Sequence, residues 1–178
     1  MLIRLVELRT EPFRWEETVE MPAASLGRDE LEALGPIRWH GRVSGAEPGF
    51  FLRARLDYQQ TLRCDRCLAP IAEAAGADVE LLLVPGPQPA GDEVELAEGD
   101  LGIVYVDGDV FDTGPLLLEQ LQLGIPMKPV CRPDCRGLCR ACGADLNRGA
   151  CGCPKETVDP RWAGLAALRD RFAAGGGR

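Results

Sequence analysis

The feature that most constrains this chain is its set of eight cysteines among 178 residues. They form four pairs in chain order: Cys64 and Cys67, Cys131 and Cys135, Cys139 and Cys142, and Cys151 and Cys153. Two thiols three residues apart can converge on one ion when the backbone turns between them, and zinc takes four such ligands in a tetrahedron. Eight thiols therefore predict two four-cysteine sites, with two zinc ions as cofactors.

Two other uses of these thiols compete with zinc. Disulfides suit an oxidising compartment, but the first residues, LIRLVEL, lack the basic region, long apolar run and cleavage site of a secretion signal. We therefore expect a cytoplasmic protein with reduced or metal-bound thiols. The C-x3-C-x2-C spacing of Cys135, Cys139 and Cys142 resembles the radical-SAM cluster motif, but only 36 residues follow Cys142, too few for that family's barrel.

The division of the four pairs between two ions stays open. Local closure would join the third and fourth pairs, because the ADLNRGA segment between them is short. The first and second pairs would then meet across 63 intervening residues, which should stabilise the fold. A cross-braced arrangement would instead join the first pair to the third and the second to the fourth. We favour local closure, although the C-x-C spacing of the fourth pair is unusual and one of its thiols could be a bystander.

Charge is segregated along the chain, whose net charge is −8. The stretch from Leu68 to Met127 contains twelve acidic residues and no lysine or arginine, whereas the cysteine-rich region is basic. The candidate phosphate contacts to nucleic acid in that region are Lys128, Arg132, Arg136, Arg140 and Arg148. The alternative is that they offset the formal −2 charge of each zinc tetrathiolate. No run reaches the ~20 apolar residues of a membrane span, so no membrane partner is expected.

The residue patterns predict an α+β chain, namely an antiparallel β-rich domain with one or two short helices, a C-terminal zinc-binding lobe and a terminal helix. The long run 50–64 alternates apolar and polar residues with the period of a half-buried strand. It should form a hairpin with 71–85, capped by the first cysteine pair. Further strands are predicted over 2–9, 13–20, 37–45 and within 101–112, helices over 25–34, 113–126 and 159–172, and a loop over 86–100.

The predicted domains are a β-rich domain over 1–127, a cysteine-rich zinc lobe packed on it over 128–158, and a terminal helix with a frayed end over 159–178. Four thiolates close the coordination shell of zinc, whereas a catalytic zinc keeps an open position. No HExxH, GxSxG, P-loop or GxGxxG motif is present. The single histidine, His40, falls on the polar side of a strand and is interpreted as exposed and structural. We therefore expect no enzyme activity and no small-molecule substrate.

The motifs CDRCLAP, GIPMKPVC, DCRGLCRACGADLN…CGC and DPRWAGLAAL resemble the YceD family of large ribosomal RNA subunit accumulation proteins, over about residues 35–172. The resemblance implies a cytoplasmic or stromal protein that supports accumulation of large-subunit ribosomal RNA, with no catalytic residue carried over. Some members keep the first cysteine pair but lack the cysteine-rich tail. This implies that the first knuckle is the core site and that the last four cysteines form an accessory lobe.

Two functions compete on these grounds. The first is a non-enzymatic zinc-binding assembly factor that contacts ribosomal RNA or a large-subunit ribosomal protein, with phosphate contacts from the five basic residues above. The second is a protein-interaction adaptor whose acidic middle segment binds a basic partner such as a ribosomal protein. The salt dependence of RNA binding separates them.

Overall fold

The computed structural model describes residues 1–9, 11–87, 102–154, 161 and 165, and in these ranges the chain is β-rich, as predicted. Helix α1 spans Thr113–Leu123, and short 3-10 helices span Leu5–Arg9 and Ala23–Leu26. The strands are β1 Leu2–Arg4, β2 Phe13–Val19, β3 Leu31–Leu34, β4 Ile37–Ala46, β5 Gly49–Arg63, β6 Pro70–Pro85, β7 Ile103–Val106 and β8 Val110–Asp112.

The main sheet has six strands in the order β2-β4-β5-β6-β7, with β3 pairing beside β4 along the other half of β5. All its pairs are antiparallel except β6 and β7, which run parallel. The sheet is therefore mixed and not purely antiparallel as predicted. The parallel pair is possible because the connection over residues 86–102 is long enough for the chain to return in the same direction. Strands β1 and β8 form a separate two-stranded sheet.

The predicted hairpin is the centre of the fold. Every second side chain of β5 from Phe50 to Leu62 is buried, which confirms the period-two pattern. Its inward face packs with Trp39 of β4 and Leu83 of β6, both fully buried. Gly41 lies under the ring of Trp15, where a Cβ atom would approach ring carbons to within 2.6 Å. The first cysteine pair therefore lies at the end of a hairpin whose two strands are paired along the sheet.

Two predicted elements near the N-terminus differ from the structure, one in its length and one in its type. The predicted strand over 2–9 ends at Arg4, because the next residues form a 3-10 helix that buries Leu5 and Leu8 on one side. The predicted helix over 25–34 is instead a 3-10 turn followed by strand β3. Pairing with β5, in which Leu31 lies opposite Leu62, satisfies the backbone and buries the leucine better than an isolated helix would.

Helix α1 begins where the sequence predicted, since the side chain of Asp112 accepts a hydrogen bond from the amide of Gly114 at 2.9 Å. It ends at Leu123, where Gly124 forms the C-cap. The loop over 86–100, beyond its first two residues, lies outside the described residues. So does the predicted terminal helix over 159–172, apart from positions 161 and 165.

The chain forms two compact units, Met1–Gly137 and Leu138–Arg178. The sequence placed the first boundary after residue 127, but the second cysteine pair, Cys131 and Cys135, belongs to the first unit. No helix in the described ranges has the length and apolar character that crossing a bilayer requires.

Candidate metal centres

The first cysteine pair lies in the tight turn between β5 and β6. The amide of Leu68 donates to the carbonyl of Cys64 at 2.9 Å, and the amide of Cys64 donates to the carbonyl of Ala69 at 2.9 Å. Leu68 adopts a left-handed conformation with a φ of 60°, which bends the chain back after Cys67. The turn places both thiols on one side, as the prediction of a capped hairpin required.

The second pair meets the first within the first unit. The Sγ atoms of Cys64 and Cys135 are 3.9 Å apart, and those of Cys67 and Cys131 are 3.7 Å apart. All four sulfurs lie within 4.8 Å of one another. A tetrahedral zinc site with bonds of about 2.3 Å has sulfur–sulfur edges of about 3.8 Å. The four thiols therefore fit a zinc ion.

Hydrogen bonds hold the second cysteine pair against the turn that carries the first pair. The amide of Asp65 donates to the carbonyl of Pro129 at 2.8 Å, and Nη1 of Arg66 donates to the carbonyl of Cys135 at 2.9 Å. Gly137 follows with a φ of +72°, and a Cβ atom there would lie 2.8 Å from the carbonyl oxygen of Arg66. Sequence reasoning missed the supporting roles of Arg66 and Gly137, because neither position belongs to the ligand motif itself.

The third and fourth pairs form a second cluster inside the second unit. Their four sulfurs also lie within 4.8 Å of one another. The amide of Gly143 donates to the carbonyl of Cys139, and the amide of Cys139 donates to the carbonyl of Ala144, both at 2.8 Å. Gly143 has a φ of +72°. This knuckle repeats the hydrogen bonds of the first, with Gly143 in the place of Leu68.

A turn around Asp145 returns the chain toward the fourth pair. Asp145 bridges to Leu138, and its Oδ1 atom accepts hydrogen bonds from the backbone amide of Asn147 at 2.9 Å and from its side-chain amide at 2.8 Å. The carboxylate also lies 3.5 Å from Nε of Arg148. The short ADLNRGA segment is thereby shaped into a loop that brings all four thiols together.

The electrostatics of both clusters suit a cation. Burial opposes ionisation of the Cys64 thiol, but backbone amides, those of Cys67 and Cys131 first, lower its pKa to about 6. Amides of Cys142 and Ala141 lower the pKa of Cys139 to about 6. A bound cation favours the deprotonated thiolates that backbone amides already stabilise in each knuckle.

Cys131 and Cys153 show the opposite effect. Burial and the neighbouring Cys135 raise the pKa of Cys131 to about 12. Hydrogen bonds and charge from Cys142 and Cys139 raise the pKa of Cys153 to about 12. Four thiolates in such a small volume repel one another, so each cluster needs a positive ion to ionise fully.

The grouping of the eight thiols is that of local closure and differs from the cross-braced arrangement. Both members of the C-x-C pair lie in the second cluster, so neither Cys151 nor Cys153 is a bystander in the geometry. His40 belongs to neither cluster. Each cluster therefore offers four thiols and leaves no position for a water ligand once a tetrahedral ion is bound.

The five basic residues predicted to contact phosphate are all exposed, and they are divided between the two units. Lys128, Arg132 and Arg136 belong to the first unit, whereas Arg140 and Arg148 belong to the second. Several are already engaged within the protein. Nε of Arg132 lies 3.4 Å from Asp134, and Arg148 pairs with Asp145.

Comparison with known proteins gives one family. Residues 52–169 match the sequence profile described as Large ribosomal RNA subunit accumulation protein YceD. An uncharacterised protein of Mycobacterium tuberculosis is 34% identical over 173 residues, covering 94% of this chain and 81% of its own length. The chloroplastic YCED homolog 1 of Arabidopsis thaliana, a large ribosomal RNA subunit accumulation protein, is 25% identical over 134 residues, covering 63% of this chain and 42% of its own. No solved structure gives a significant match.

Proposed function

Because this chain belongs to the YceD family of large ribosomal RNA subunit accumulation proteins, we propose that it is a non-enzymatic factor that binds two zinc ions and supports accumulation of large-subunit ribosomal RNA. Its place of action is the cytoplasm, and its partner is ribosomal RNA or a large-subunit ribosomal protein.

The observation that carries this proposal is the pair of four-thiol clusters. Sulfur–sulfur distances of 3.7 and 3.9 Å in the first cluster match the edges of a zinc tetrathiolate. A tetrathiolate ion is closed to substrate, and such zinc contributes directly to folding energy. The ions therefore act as structural clasps, the first between the β5–β6 hairpin and the segment after α1.

Metal content tests the zinc sites. Protein purified under reducing conditions should contain two zinc ions per chain, and Cys64→Ser or Cys139→Ser should each contain one. The double variant Cys64→Ser/Cys135→Ser should still contain one, because both residues belong to the same cluster. Loss of both ions in that double variant would contradict the grouping, and absence of zinc from the folded wild type would contradict the proposal.

Ribosomal RNA accumulation tests the role in cells. Cells lacking the protein should have a lowered ratio of large-subunit to small-subunit ribosomal RNA, and wild-type protein should restore it. Cys64→Ser should restore it poorly, since the first cluster holds together the larger unit. Cys139→Ser should restore most of it if the second cluster is an accessory lobe. A normal ratio in cells that lack the protein would overturn the proposed function.

The adaptor alternative is favoured by the acidic stretch from Leu68 to Met127, which has no basic residue. On β6, however, two of its acids are already paired, Asp78 with Arg55 and Glu80 with Arg53. A basic ribosomal protein that co-purifies with the wild type, and is released when acids within 92–100 are changed to amides, would favour the adaptor.

A further inference from the structure

A groove crosses the outer face of the main sheet, over strands β2, β4, β5 and β6, with a volume of about 780 Å³. Its floor is the backbone of one cross-strand row: Trp15, Gly41, Ala54 and Val79. The side chains of this row are buried on the opposite, core face, so only backbone faces the groove. Four strands about 4.8 Å apart make the groove about 14 Å long.

One wall of the groove is a row of arginines. Arg14, Arg42 and Arg53 lie directly opposite one another on β2, β4 and β5, and Glu80 of β6 ends the row. All four side chains are exposed. Like charges at opposite positions destabilise a sheet, and the chain as a whole carries a net charge of −8. Sheet stability therefore does not explain this row.

Two of the three arginines in this row are not neutralised by a carboxylate of the described residues. Nε of Arg53 lies 2.9 Å from Oε1 of Glu80, which neutralises that end of the row. Within the described part of the chain, Arg14 and Arg42 form no ion pair. The uncompensated positive charge is thus concentrated at the β2–β4 end of the groove.

The opposite wall carries little free negative charge. It consists of Glu16, His40, Arg55 and Asp78. Glu16 is 2.6 Å from Nη2 of Arg38, and Asp78 is 2.8 Å from Nη1 of Arg55, so both carboxylates are paired. The Nδ1 atom of His40 is buried and has no hydrogen-bond partner among the described residues. His40 and Arg42 lie on the same strand, on either side of Gly41 in the groove floor.

We propose that this groove binds the sugar–phosphate backbone of single-stranded RNA, with Arg14 and Arg42 contacting phosphates beside His40. Guanidinium groups hold phosphate oxygens with paired, charge-assisted hydrogen bonds. Positively charged grooves that follow the backbone are a general solution for single strands. The inference rests on the proposed function, which supplies ribosomal RNA as the class of partner, and it places the RNA contact on the sheet and not on the arginines of the cysteine-rich region.

The test measures binding of a short oligouridylate over a range of salt concentrations. Arg14→Gln/Arg42→Gln should bind about tenfold or more weakly. Loss of two phosphate contacts should lower the slope of log affinity against log salt by about 1.4, at about 0.7 per contact for a single strand. The matched control is Arg4→Gln, an exposed arginine of β1 outside the groove, which should bind like the wild type. Zinc content and the unfolding midpoint establish that each variant is folded.

A variant that gains affinity strengthens the test. Glu80→Gln removes the carboxylate that pairs with Arg53, so it should bind oligouridylate more tightly, an effect that misfolding cannot produce. Unchanged affinity in the double arginine variant would overturn the inference. If the double arginine variant still binds a transcript of large-subunit ribosomal RNA, the proposed function is retained and does not depend on the groove. If the wild type binds neither RNA, RNA contact fails in both proposals. Equally strong binding of polyglutamate through the same arginines would also overturn the inference, because the groove would then fit an acidic protein segment.

Discussion

Gly137 allows the packing around the first metal centre to be tested by a single methyl group. Its φ is +72°, and a Cβ atom would lie 2.8 Å from the carbonyl oxygen of Arg66, a backbone atom that cannot rotate away. Arg66 stands between the two ligands of the first pair and donates to the carbonyl of Cys135 at 2.9 Å. The variant Gly137→Ala therefore introduces strain where the segment of the second cysteine pair contacts the turn of the first pair.

The magnitude has two parts. A left-handed conformation costs an alanine about 1–2 kcal/mol, and the lower entropy of the unfolded chain offsets about 0.4–1 kcal/mol of this. The clash adds an overpacking term of about 1–3 kcal/mol. We expect Gly137→Ala to lower the free energy of unfolding by about 2–4 kcal/mol, and to lower zinc affinity at the first site by about 5- to 30-fold if half of that loss falls on the metal-bound state.

The controls are two glycines with nearly the same backbone conformation and open space around them. Gly27 has a φ of +62° and lies far along the chain from the ligands, and Gly143 has a φ of +72° in the second knuckle. Each alanine variant there should cost about 1 kcal/mol, the strain term alone. Urea unfolding of the zinc-loaded proteins and competition with a chromophoric chelator measure the two quantities. Equal losses in Gly137→Ala and Gly27→Ala would refute the packing argument.

Three further predictions concern stability. Leu68→Gly should be neutral or up to about 1 kcal/mol more stable in urea unfolding, because relief of left-handed strain exceeds or matches the entropy penalty of glycine. The opposite change, Gly143→Leu, should destabilise the second unit. A Leu68→Gly variant that is less stable than the wild type would contradict this reasoning. Asp112→Ala should lose about 1 kcal/mol, since the amide of Gly114 loses its cap, whereas Asp112→Asn should keep most of it. Leu121→Ala should lose about 2–5 kcal/mol because this side chain is fully buried, and a loss below 1 kcal/mol would mean that α1 is not packed as described.

Sequence alone predicted the β5–β6 hairpin because apolar and polar residues alternate over a long run in β5, and this period matches the burial of every second side chain. It also identified all eight thiols that cluster, since the spacing within each pair already limits how the sulfurs can meet. Their grouping depended on distances between segments, and local closure was favoured only because the chain between the third and fourth pairs is short.

Other features depend on partners that a linear pattern does not reveal. The leucines at 26, 31 and 34 fit one side of a helix, but Leu31 instead pairs opposite Leu62, and the tertiary contact overrides the local period. Alternation is the same for either strand direction, so the parallel β6–β7 pair was not predictable. The row formed by Arg14, Arg42 and Arg53 appears only when the register of three strands is known.

The separation between the first two cysteine pairs has a consequence for synthesis. A nascent chain presents Cys67 long before Cys135, which is 68 residues downstream. At about 5–20 residues per second this delay is about 3–14 s. During that interval Cys64 and Cys67 must stay reduced, because only two of the four thiols of the first cluster have been made. The four thiols of the second cluster, by contrast, are translated within one short stretch. The two centres therefore wait for different times between the synthesis of their first and last thiols.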